Sequence, residues 1–356
     1  MRLGHHHVRA RVPATSANLG PGFDALGLAL GLQDDLEVRA LGSSGVVVDV
    51  TGEGADSVPR GEDHLVVRAL RLALDHVGAS QTGLHLTCTN RIPHGRGLGS
   101  SAAAAVGGLL LARALLADPE ALDDDTVLGL ATELEGHPDN AAPALLGGAT
   151  IAWLESADER APGGHAGRGA GAGVVRPDGT DGRDARTATS SSPAARPDRP
   201  RAVRLDLHPD VAPLVVVPAT ELSTRRARGV LPASVPHTDA AQQAGRAALL
   251  VEALARRPDL LLPATRDWLH QPYRRDVMPD SLALVDALRA HGVAAVVSGA
   301  GPTVLALARV RRDAAGTAVG TDADAVVDDA FGGVMGGWTV LRPDVDLAGG
   351  SAWPVG

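Results

Sequence analysis

A glycine-rich loop that runs directly into an alanine-rich helix is the feature that most constrains this chain. The segment PHGRGLGSSAAAAVGGLLLARALLAD spans residues 93–118, and Gly95, Gly97 and Gly99 are followed by two serines. Glycine lets backbone N–H groups approach an anion closely, and a helix N-terminus adds about half a positive charge. The segment therefore predicts a phosphate-binding loop, with a plain turn and a serine N-cap as the alternative interpretation.

Two common phosphate-binding loops do not fit this segment. The chain contains no lysine, so a Walker-type loop ending in Gly-Lys-Ser/Thr is impossible. A dinucleotide fingerprint needs the spacing G-x-G-x-x-G and an acidic residue about 20 positions later in a following strand. The spacing here is Gly95-x-Gly97-x-Gly99 without an acidic residue in that context, so the loop belongs to another class.

Length and composition favour a soluble chain of two domains. At 356 residues the chain can bury a sizeable core, and its mean hydropathy is +0.04. No apolar run approaches the roughly 20 residues that a membrane span needs, and no signal peptide is recognisable, so we expect a cytoplasmic protein. The single cysteine, Cys88, excludes an internal disulfide, and we expect it to be buried and inert.

Charge and aromatic content argue against nucleic acid as a partner. The net charge is −9 at pH 7, and only 2% of the residues are Phe, Trp or Tyr. A negative chain does not attract phosphate backbones, and few aromatic rings are present on which bases can stack. We therefore predict a small-molecule ligand, with neither a nucleic-acid nor a membrane partner.

Hydrophobic patterns predict an α+β fold. In the segment EDHLVVRALRLALDHVG the apolar residues have helical spacing, and the pattern ends at Gly78. Further helical patterns cover residues 100–117, 239–257 and 279–291. Strand-like segments such as GLHLTCTNRIP and VAPLVVVPA lie between them. Because short strands and helices are mixed in both halves, we expect α+β rather than a regularly alternating doubly wound sheet.

One segment with almost nothing to bury divides the chain. Residues 156–201 consist mainly of Gly, Pro, Ala, Ser, Asp and Arg, a composition typical of disorder. We predict an N-terminal domain at 8–155, a disordered insertion at 156–201 and a C-terminal domain at 202–345.

Four further segments contain polar side chains suited to a small polar ligand. VPATSANLGPGFD (12–24) places an asparagine and an aspartate at a tight bend, and ELEGHPDN (133–140) groups Glu, His, Asp and Asn. STRRARGVLP (223–232) and HQPYRRDVMP (270–279) are arginine-rich. An arginine fork matches the two oxygens of a carboxylate, whereas turns, helix caps and surface arginines are the ordinary alternatives.

Together these segments resemble the homoserine kinases of the GHMP kinase superfamily. The matching sequences are PATSANLGPGFD, PHGRGLGSSAA, EGHPDNAAPALLGG, the two arginine segments and VSGAGPTVLAL, in the order expected for the family. The resemblance implies ATP-dependent phosphorylation of the L-homoserine side-chain hydroxyl to O-phospho-L-homoserine, in threonine biosynthesis. It also implies a two-domain α+β fold, with an N-terminal domain like ribosomal protein S5 domain 2, a ferredoxin-like C-terminal domain and the site between them.

The resemblance assigns the nucleotide and its metal to two segments. The ATP phosphates are expected on the loop residues Pro93, His94, Gly95, Arg96, Gly97, Leu98, Gly99, Ser100, Ser101, Ala102 and Ala103. Mg²⁺ is expected at Ser100 and Glu135, with Ser101 and Glu133 as the alternatives. Gly299, Ala300 and Gly301 are expected to support the loop through their backbone.

The resemblance also assigns the amino-acid substrate. The expected homoserine-binding residues are Asn18, Asp24, His137, Asp139, Thr224, Arg228 and Arg274. The expected catalytic residues are Asn140, near the hydroxyl, and Arg228, which also steadies the γ-phosphoryl group. Some GHMP kinases activate the hydroxyl with an aspartate–lysine pair, which a chain without lysine cannot form. We therefore expect transition-state stabilisation without a strong dedicated base.

Three expectations complete the sequence analysis. A homodimer is expected from the family. Another GHMP kinase, acting on mevalonate or a sugar, is the first alternative function. A nucleotide-binding regulatory protein on the same fold is the second.

Overall fold

Two β-sheets with helices packed against them form the described part of the chain. The computed structural model describes residues 1–156, 198–331 and 337–356. The predicted insertion at 156–201 lies almost entirely outside these residues and stays a prediction. The mixture of strands and helices in both halves agrees with the predicted α+β fold.

Strands and helices are interspersed along the described chain without regular alternation. The strands are β1 (His7–Ala17), β2 (Leu26–Leu41), β3 (Val46–Gly52), β4 (Gly83–Asn90), β5 (Ala149–Glu155), β6 (Arg199–Leu205), β7 (Val211–Pro218), β8 (Ala295–Val297), β9 (Val304–Arg312), β10 (Ala318–Thr321), β11 (Trp338–Leu341) and β12 (Ser351–Pro354). The segment VSGAGPTVLAL contains the end of β8, a glycine turn and the start of β9.

The helices include the three long ones that the hydrophobic pattern predicts. They are α1 (Leu65–His76), α2 (Ser100–Leu115), α3 (Asp124–Glu135), α4 (Ala141–Leu146), α5 (Thr224–Gly229), α6 (His237–Ala255), α7 (Leu261–Ala264), α8 (Pro279–Ala290) and α9 (Asp324–Phe331). The patterns at 100–117, 239–257 and 279–291 are confirmed as α2, α6 and α8. No helix in the described ranges is long and apolar enough to cross a membrane.

The first sheet has seven strands and the second has five. The order β12-β1-β2-β4-β3 forms the main path of the first sheet, with β5 beside β2 and β6 beside β5. The second sheet has the order β10-β9-β7-β11, with β8 beside β9. Strand β2 is long enough to pair with β4 through its second half and with β5 through its first residues. This division opens the first sheet at the end where the polar segments lie.

The chain crosses between the two halves more than the predicted boundaries indicate. Residues Arg199–Leu205 form β6 and pair with β5, so the predicted division at 201/202 falls inside a strand of the first sheet. After the second sheet, β12 returns and pairs with β1. The larger hydrophobic core contains residues of both halves, such as Leu19, Val296 and Leu305. The two halves therefore share a core.

Helix α2 lies at the centre of this core because its residues are small. Its buried side chains include Ala102, Ala105 and Leu109, and a Cβ on Gly107 would collide with the Leu36 side chain. A Cβ on Gly108 would collide with the Val66 carbonyl oxygen of α1. Small residues let α2 approach both the sheet and α1 closely, which fixes the position of its N-terminus.

Cys88 behaves as the sequence predicts. It lies in β4 and has no exposed surface. Burial raises the pKa of its thiol to about 12, so the reactive thiolate scarcely forms at neutral pH.

The close contact of α1 and α2 can be tested with two glycines. We expect Gly108→Ala to lower the free energy of unfolding by about 1–3 kcal/mol, because the added methyl group overpacks the helix contact. Gly129 lies in α3, where a Cβ would meet no atom within 4 Å. The control Gly129→Ala should raise the free energy of unfolding by about 0.5–1 kcal/mol. Urea unfolding measures both, and equal effects would contradict the packing argument.

Candidate active site

A cleft of about 490 Å³ lies between the two halves of the molecule. It is lined by Asn18, Gly95, Gly97, Gly99, Ser100, Ser101, Ala102, Leu134, Glu135, His137, Asp139, Asn140, Leu222, Ser223, Thr224, Arg228, Arg274, Gly299 and Ala300. These residues come from the phosphate loop, the acidic segment, both arginine segments and the glycine turn. The structure therefore brings into one cleft residues that are up to about 280 positions apart along the chain.

The phosphate loop adopts a backbone that favours glycine at three positions. Gly95, Gly97 and Gly99 have φ angles of 64°, 77° and 68°. Helix α2 begins at Ser100, its N-cap is Gly99, and no side chain caps it. The alternative of a serine N-cap is therefore wrong. The first N–H groups of α2 lack partners within the helix and lie at the cleft, which suits an anion.

The glycine turn between β8 and β9 lies against this loop, as predicted. The Ser298 hydroxyl donates to the Gly97 carbonyl oxygen at 2.6 Å and lies 2.8 Å from the hydroxyl of Ser16. The Thr303 N–H donates to the Arg96 carbonyl oxygen at 3.3 Å. A Cβ on Gly97 would collide with the Ser298 carbonyl oxygen, so only glycine permits this approach.

Five of the predicted phosphate-loop residues have side chains that do not line the cleft. Leu98 is buried in the core, and Pro93 lines a separate cavity on the other side of the loop. Arg96 donates to the carbonyl oxygens of Pro218 and Ala219, at the end of β7, at 3.0 Å each. The other two, His94 and Ala103, line a neighbouring cavity that is described below.

The carboxylate of Glu135 lies beside the start of α2. The Ser101 hydroxyl donates to Oε1 of Glu135 at 2.6 Å. Burial raises the pKa of Glu135, although the bond from Ser101 opposes the shift. Glu133 is exposed and does not line the cleft. The geometry thus favours Glu135 over Glu133, and it places the hydroxyl of Ser101 beside that carboxylate.

A chain of hydrogen bonds holds the acidic segment in place. Nδ1 of His137 lies 2.6 Å from Oδ1 of Asp139, and this bond raises the pKa of His137. The Asn140 side-chain N–H donates to the same oxygen at 3.3 Å. The Thr15 hydroxyl donates to Oδ1 of Asn140 at 2.8 Å. Hydrogen bonds to both the oxygen and the nitrogen of the Asn140 amide therefore fix its orientation.

Thr15 is a functional residue that the sequence analysis missed. It lies in β1, is fully buried, and contacts Asn140 across a separation of 125 residues. Its backbone N–H also donates to the Leu98 carbonyl oxygen of the phosphate loop at 3.0 Å. Its position in the segment PATSAN was the available sequence signal for a functional role. A local sequence pattern cannot show its contact with Asn140, which lies 125 residues away.

The segment Asn18–Asp24 forms a strained bend. Asn18, Leu19 and Asp24 have φ angles of 70°, 48° and 55°, which are uncommon for residues other than glycine. The Asn18 amide stabilises this bend, since its oxygen accepts from the Asp24 N–H at 3.0 Å and its N–H donates to the Gly299 carbonyl oxygen at 2.9 Å. Asn18 lines the cleft, but its amide serves the backbone of the bend.

Asp24 and Arg228 form an ion pair, of which only Arg228 lines the cleft. Nη1 and Nη2 of Arg228 donate to the two carboxylate oxygens of Asp24 at 3.2 Å and 2.6 Å, and this bond raises the pKa of Arg228. The guanidinium also lies 5.5 Å from the centre of the Phe23 ring. Both predicted substrate residues therefore bind each other in this structure.

Arg274 is buried, with only 1% of its surface exposed. Nε donates to the Ala227 carbonyl oxygen at 3.3 Å, and Nη1 donates to the Gly299 carbonyl oxygen at 2.9 Å. Burial, together with the charge of Arg228, lowers the pKa of Arg274 to about 10. The guanidinium thus remains charged at neutral pH without a carboxylate in direct contact, which makes it a strong site for an anion.

Comparison with known proteins decides the family. Two family models match the chain, GHMP kinases N terminal domain at residues 64–148 and GHMP kinases C terminal at residues 243–323. A homoserine kinase of Streptomyces coelicolor is 53% identical over 302 residues, which are 85% of this chain and 84% of that protein. A homoserine kinase of Streptomyces avermitilis is 48% identical over 350 residues, 98% of this chain and 96% of that protein. This chain belongs to the homoserine kinase family of GHMP kinases.

A solved structure of the family has the same two-domain fold. The crystal structure of homoserine kinase from Cytophaga hutchinsonii matches with a TM-score of 0.73 and 23% identity, and the match covers 98% of each chain. The predicted GHMP kinase fold is therefore confirmed.

A second cavity, of about 230 Å³, adjoins the phosphate loop of this GHMP kinase on the side away from the arginines. Its walls are mostly apolar and include Leu36, Val58 and Val66, together with the polar side chains of His64 and Asn90. Nδ1 of His64 is buried and has no hydrogen-bond partner among the described residues. The sequence analysis missed this cavity because its walls come from several separate segments, none with a recognisable motif.

The contact of His137 with Asp139 predicts a pH-dependent stability. Because the folded-state pKa of His137 is raised, its contribution to stability is full below the ordinary histidine pKa and disappears as the pH rises through the raised value. We expect His137→Gln to cost more free energy of unfolding at about pH 5.5 than at about pH 9. Urea unfolding at both pH values measures this difference. The same loss of unfolding free energy at both pH values would show that the contact with Asp139 does not shift the pKa of His137.

Proposed function

We propose that this chain transfers the γ-phosphoryl group of ATP to the side-chain hydroxyl of L-homoserine, giving O-phospho-L-homoserine. GHMP kinases use ATP as the phosphoryl donor, and the curated relatives are named homoserine kinases. The observation that carries the proposal is that one cleft contains both the phosphate loop and the two predicted arginines, Arg228 and Arg274. A phosphate site beside two guanidinium groups suits an amino acid as the acceptor.

The amino-acid zwitterion fits the charges that line the cleft. Arg274 and Arg228 would bind the carboxylate, and Asp24 with Asp139 would bind the ammonium group. In the structure Asp24 and Arg228 neutralise each other, and a zwitterion can replace each partner so that neither charge is left without an ion pair. Asn18, His137 and Thr224 lie at the same site. This exchange of partners favours zwitterions over simple amines or simple carboxylates.

The reaction needs alignment and charge neutralisation more than a base. Asn140, held between Thr15 and Asp139, would orient the homoserine hydroxyl toward the γ-phosphoryl group. The N–H groups at the start of α2 and the charge of Arg228 would stabilise the negative charge of the transition state. The chain contains no lysine that could act with an aspartate.

The nucleotide would occupy the phosphate loop and the second cavity. The phosphates suit Gly95 to Ser101, and the mostly apolar cavity next to them suits the adenine ring. Burial lowers the pKa of His64, so the ring is neutral and its free Nδ1 can form a hydrogen bond with the base. With adenine bound in the second cavity, His64 would lie at the edge of the ring.

Magnesium fits the residues at the start of α2. Mg²⁺ prefers carboxylate and hydroxyl oxygens, and the half-buried carboxylate of Glu135 with the hydroxyls of Ser100 and Ser101 supplies such donors beside the phosphate site. When bound, the ion would neutralise negative charge on the phosphates. The homodimer, the cytoplasmic location and the place in threonine biosynthesis are further parts of the proposal that rest on the sequence.

Substrate choice tests the proposed function directly. We expect ADP release in a coupled assay with L-homoserine, and little with mevalonate or galactose, because only homoserine presents both a carboxylate to the arginines and an ammonium group to the acidic side chains. Turnover of mevalonate or galactose instead would support another GHMP kinase. ATP binding without turnover of any of the three would support the regulatory alternative.

If Arg274 binds the substrate carboxylate, its loss should change the KM for homoserine and not the KM for ATP. We expect Arg274→Ala to raise the homoserine KM by about 10- to 100-fold, since a hydrogen bond to a charged group contributes about 1.5–3 kcal/mol. The ATP KM should change little. The control is Arg275→Ala, because Arg275 is exposed and pairs only with Asp286 in the described structure. Equal increases in both KM values would exclude the assigned role.

A further inference from the structure

A buried histidine, His270, joins the two sides of the amino-acid site. It has no exposed surface and lies four residues before Arg274 in the segment HQPYR. Its Nε2 lies 2.8 Å from the carbonyl oxygen of Gly20, in the strained bend Asn18–Asp24. Its Nδ1 lies 3.1 Å from Nη1 of Arg274. One ring therefore contacts both the bend and the arginine.

These two contacts determine where the ring carries its proton. A guanidinium can only donate, so Nδ1 of His270 accepts from Arg274. The proton of the neutral ring then lies on Nε2, where it donates to the Gly20 carbonyl oxygen. Burial lowers the pKa of His270, which agrees with a neutral ring. A proton on Nδ1 would remove the acceptor and point an N–H group at the guanidinium, and a ring protonated on both nitrogens would also place two positive charges in contact.

His270 is the third acceptor around the Arg274 guanidinium. The carbonyl oxygens of Ala227 and Gly299 hold Nε and Nη1, and Nδ1 of His270 holds Nη1 from another direction. Nη2 has no hydrogen-bond partner in the part of the chain that the structure describes. Because three acceptors define the plane of the guanidinium, Nη2 is the group left for a ligand in the cleft.

The ring of His270 also supports the second arginine. It stacks on Phe23 with 5.0 Å between ring centres and an angle of 23° between the planes. The guanidinium of Arg228 lies over the same Phe23 ring, at 5.5 Å. The stack therefore runs from His270 through Phe23 to Arg228, which pairs with Asp24.

Buried hydrogen bonds fix the backbone that carries His270. The Asp267 carboxylate accepts from the N–H groups of Leu269, His270 and Gln271, at 2.7–3.1 Å. Gln243 donates both to Asp267 at 2.8 Å and to the carbonyl oxygen of Pro21 at 3.0 Å. The histidine thus has a rigid support on the C-terminal half and contacts the bend of the N-terminal half.

We propose that His270 is a positioning residue that directs Nη2 of Arg274 toward the carboxylate of the amino-acid substrate. The inference rests on the proposed function, in which Arg274 binds that carboxylate. His270 itself is buried behind Arg274 and the bend, so it acts on the substrate only through them.

Two variants separate the two hydrogen bonds of the ring. His270→Asn places an amide oxygen near the position of Nδ1 and so keeps an acceptor for Arg274, but it loses the bond to Gly20. His270→Gln reaches Gly20 with its amide N–H but loses the acceptor. We expect His270→Gln to raise the homoserine KM by about tenfold or more, and His270→Asn by no more than about threefold. The ATP KM should stay within about threefold of the wild-type value in both variants.

A substrate without the carboxylate provides the second measurement. In 2-aminobutane-1,4-diol a hydroxymethyl group replaces the carboxylate of homoserine, so the direction of Nη2 should matter little. We expect the KM values of wild type and His270→Gln for this diol to agree within about threefold. The stability control is Thr265→Val, which removes the hydrogen bonds that the Thr265 hydroxyl donates to Leu261 and Leu262 and the one that it accepts from Arg289, without touching Arg274. It should lower the unfolding temperature and leave the homoserine KM unchanged.

Each outcome decides the role of His270. Equal increases of the homoserine KM in both variants, or an increase for His270→Gln that persists with the diol, would overturn it. If His270→Gln does not fold, the homoserine KM of His270→Asn becomes the deciding measurement. A tenfold increase of that KM would contradict the inference. Failure of the wild-type chain to phosphorylate homoserine would overturn the proposed function as well, whereas normal wild-type turnover with the wrong variant pattern would overturn only the role of His270.

Discussion

The contact of the phosphate loop with the turn at Ser298 is the constraint on which the cleft depends. Gly97 approaches the backbone of this turn so closely that no side chain fits, and the Ser298 hydroxyl bonds to the Gly97 carbonyl oxygen. The loop belongs to the N-terminal half and the turn to the C-terminal half. Because the same turn also presents the Gly299 carbonyl oxygen to Asn18 and Arg274, one contact sets the position of the phosphate site relative to the amino-acid site.

The charged side chains of the cleft are arranged to take a bound ligand as an additional partner. Arg274 is buried against neutral acceptors and His270, while Arg228 and Asp24 neutralise each other. The half-buried carboxylate of Glu135 has only the Ser101 hydroxyl as a direct hydrogen-bond partner in the described structure. An unpaired buried charge is costly, so an amino acid at one end and a cation at the other would both bind to preformed sites. Rigid supports such as Thr15 and Asp267 hold these groups in place.

Much of the fold and most of the candidate site could be predicted from the sequence. Helical spacing placed α2, α6 and α8, and motif resemblance selected Arg228 and Arg274 from an arginine-rich chain. The predictions were less successful where a residue acts over a long separation. The contact of Thr15 with Asn140 and that of His270 with Gly20 leave no local pattern, and the apolar cavity beside the loop has walls from several segments. The division at 201/202 fell inside β6 because strand pairing, not composition, sets that boundary.

The sequence by itself determined the class of loop, the family and most of the polar residues that line the cleft. It did so because these properties depend on local backbone preferences and on contiguous motifs: the glycines at 95, 97 and 99, and the absence of lysine. Only the tertiary structure decided which partner each side chain takes. It paired Ser101 with Glu135, Asp24 with Arg228, and His270 with both Gly20 and Arg274. Such pairings depend on distances between elements that are far apart in the chain, and those distances exist only once the two halves share a core.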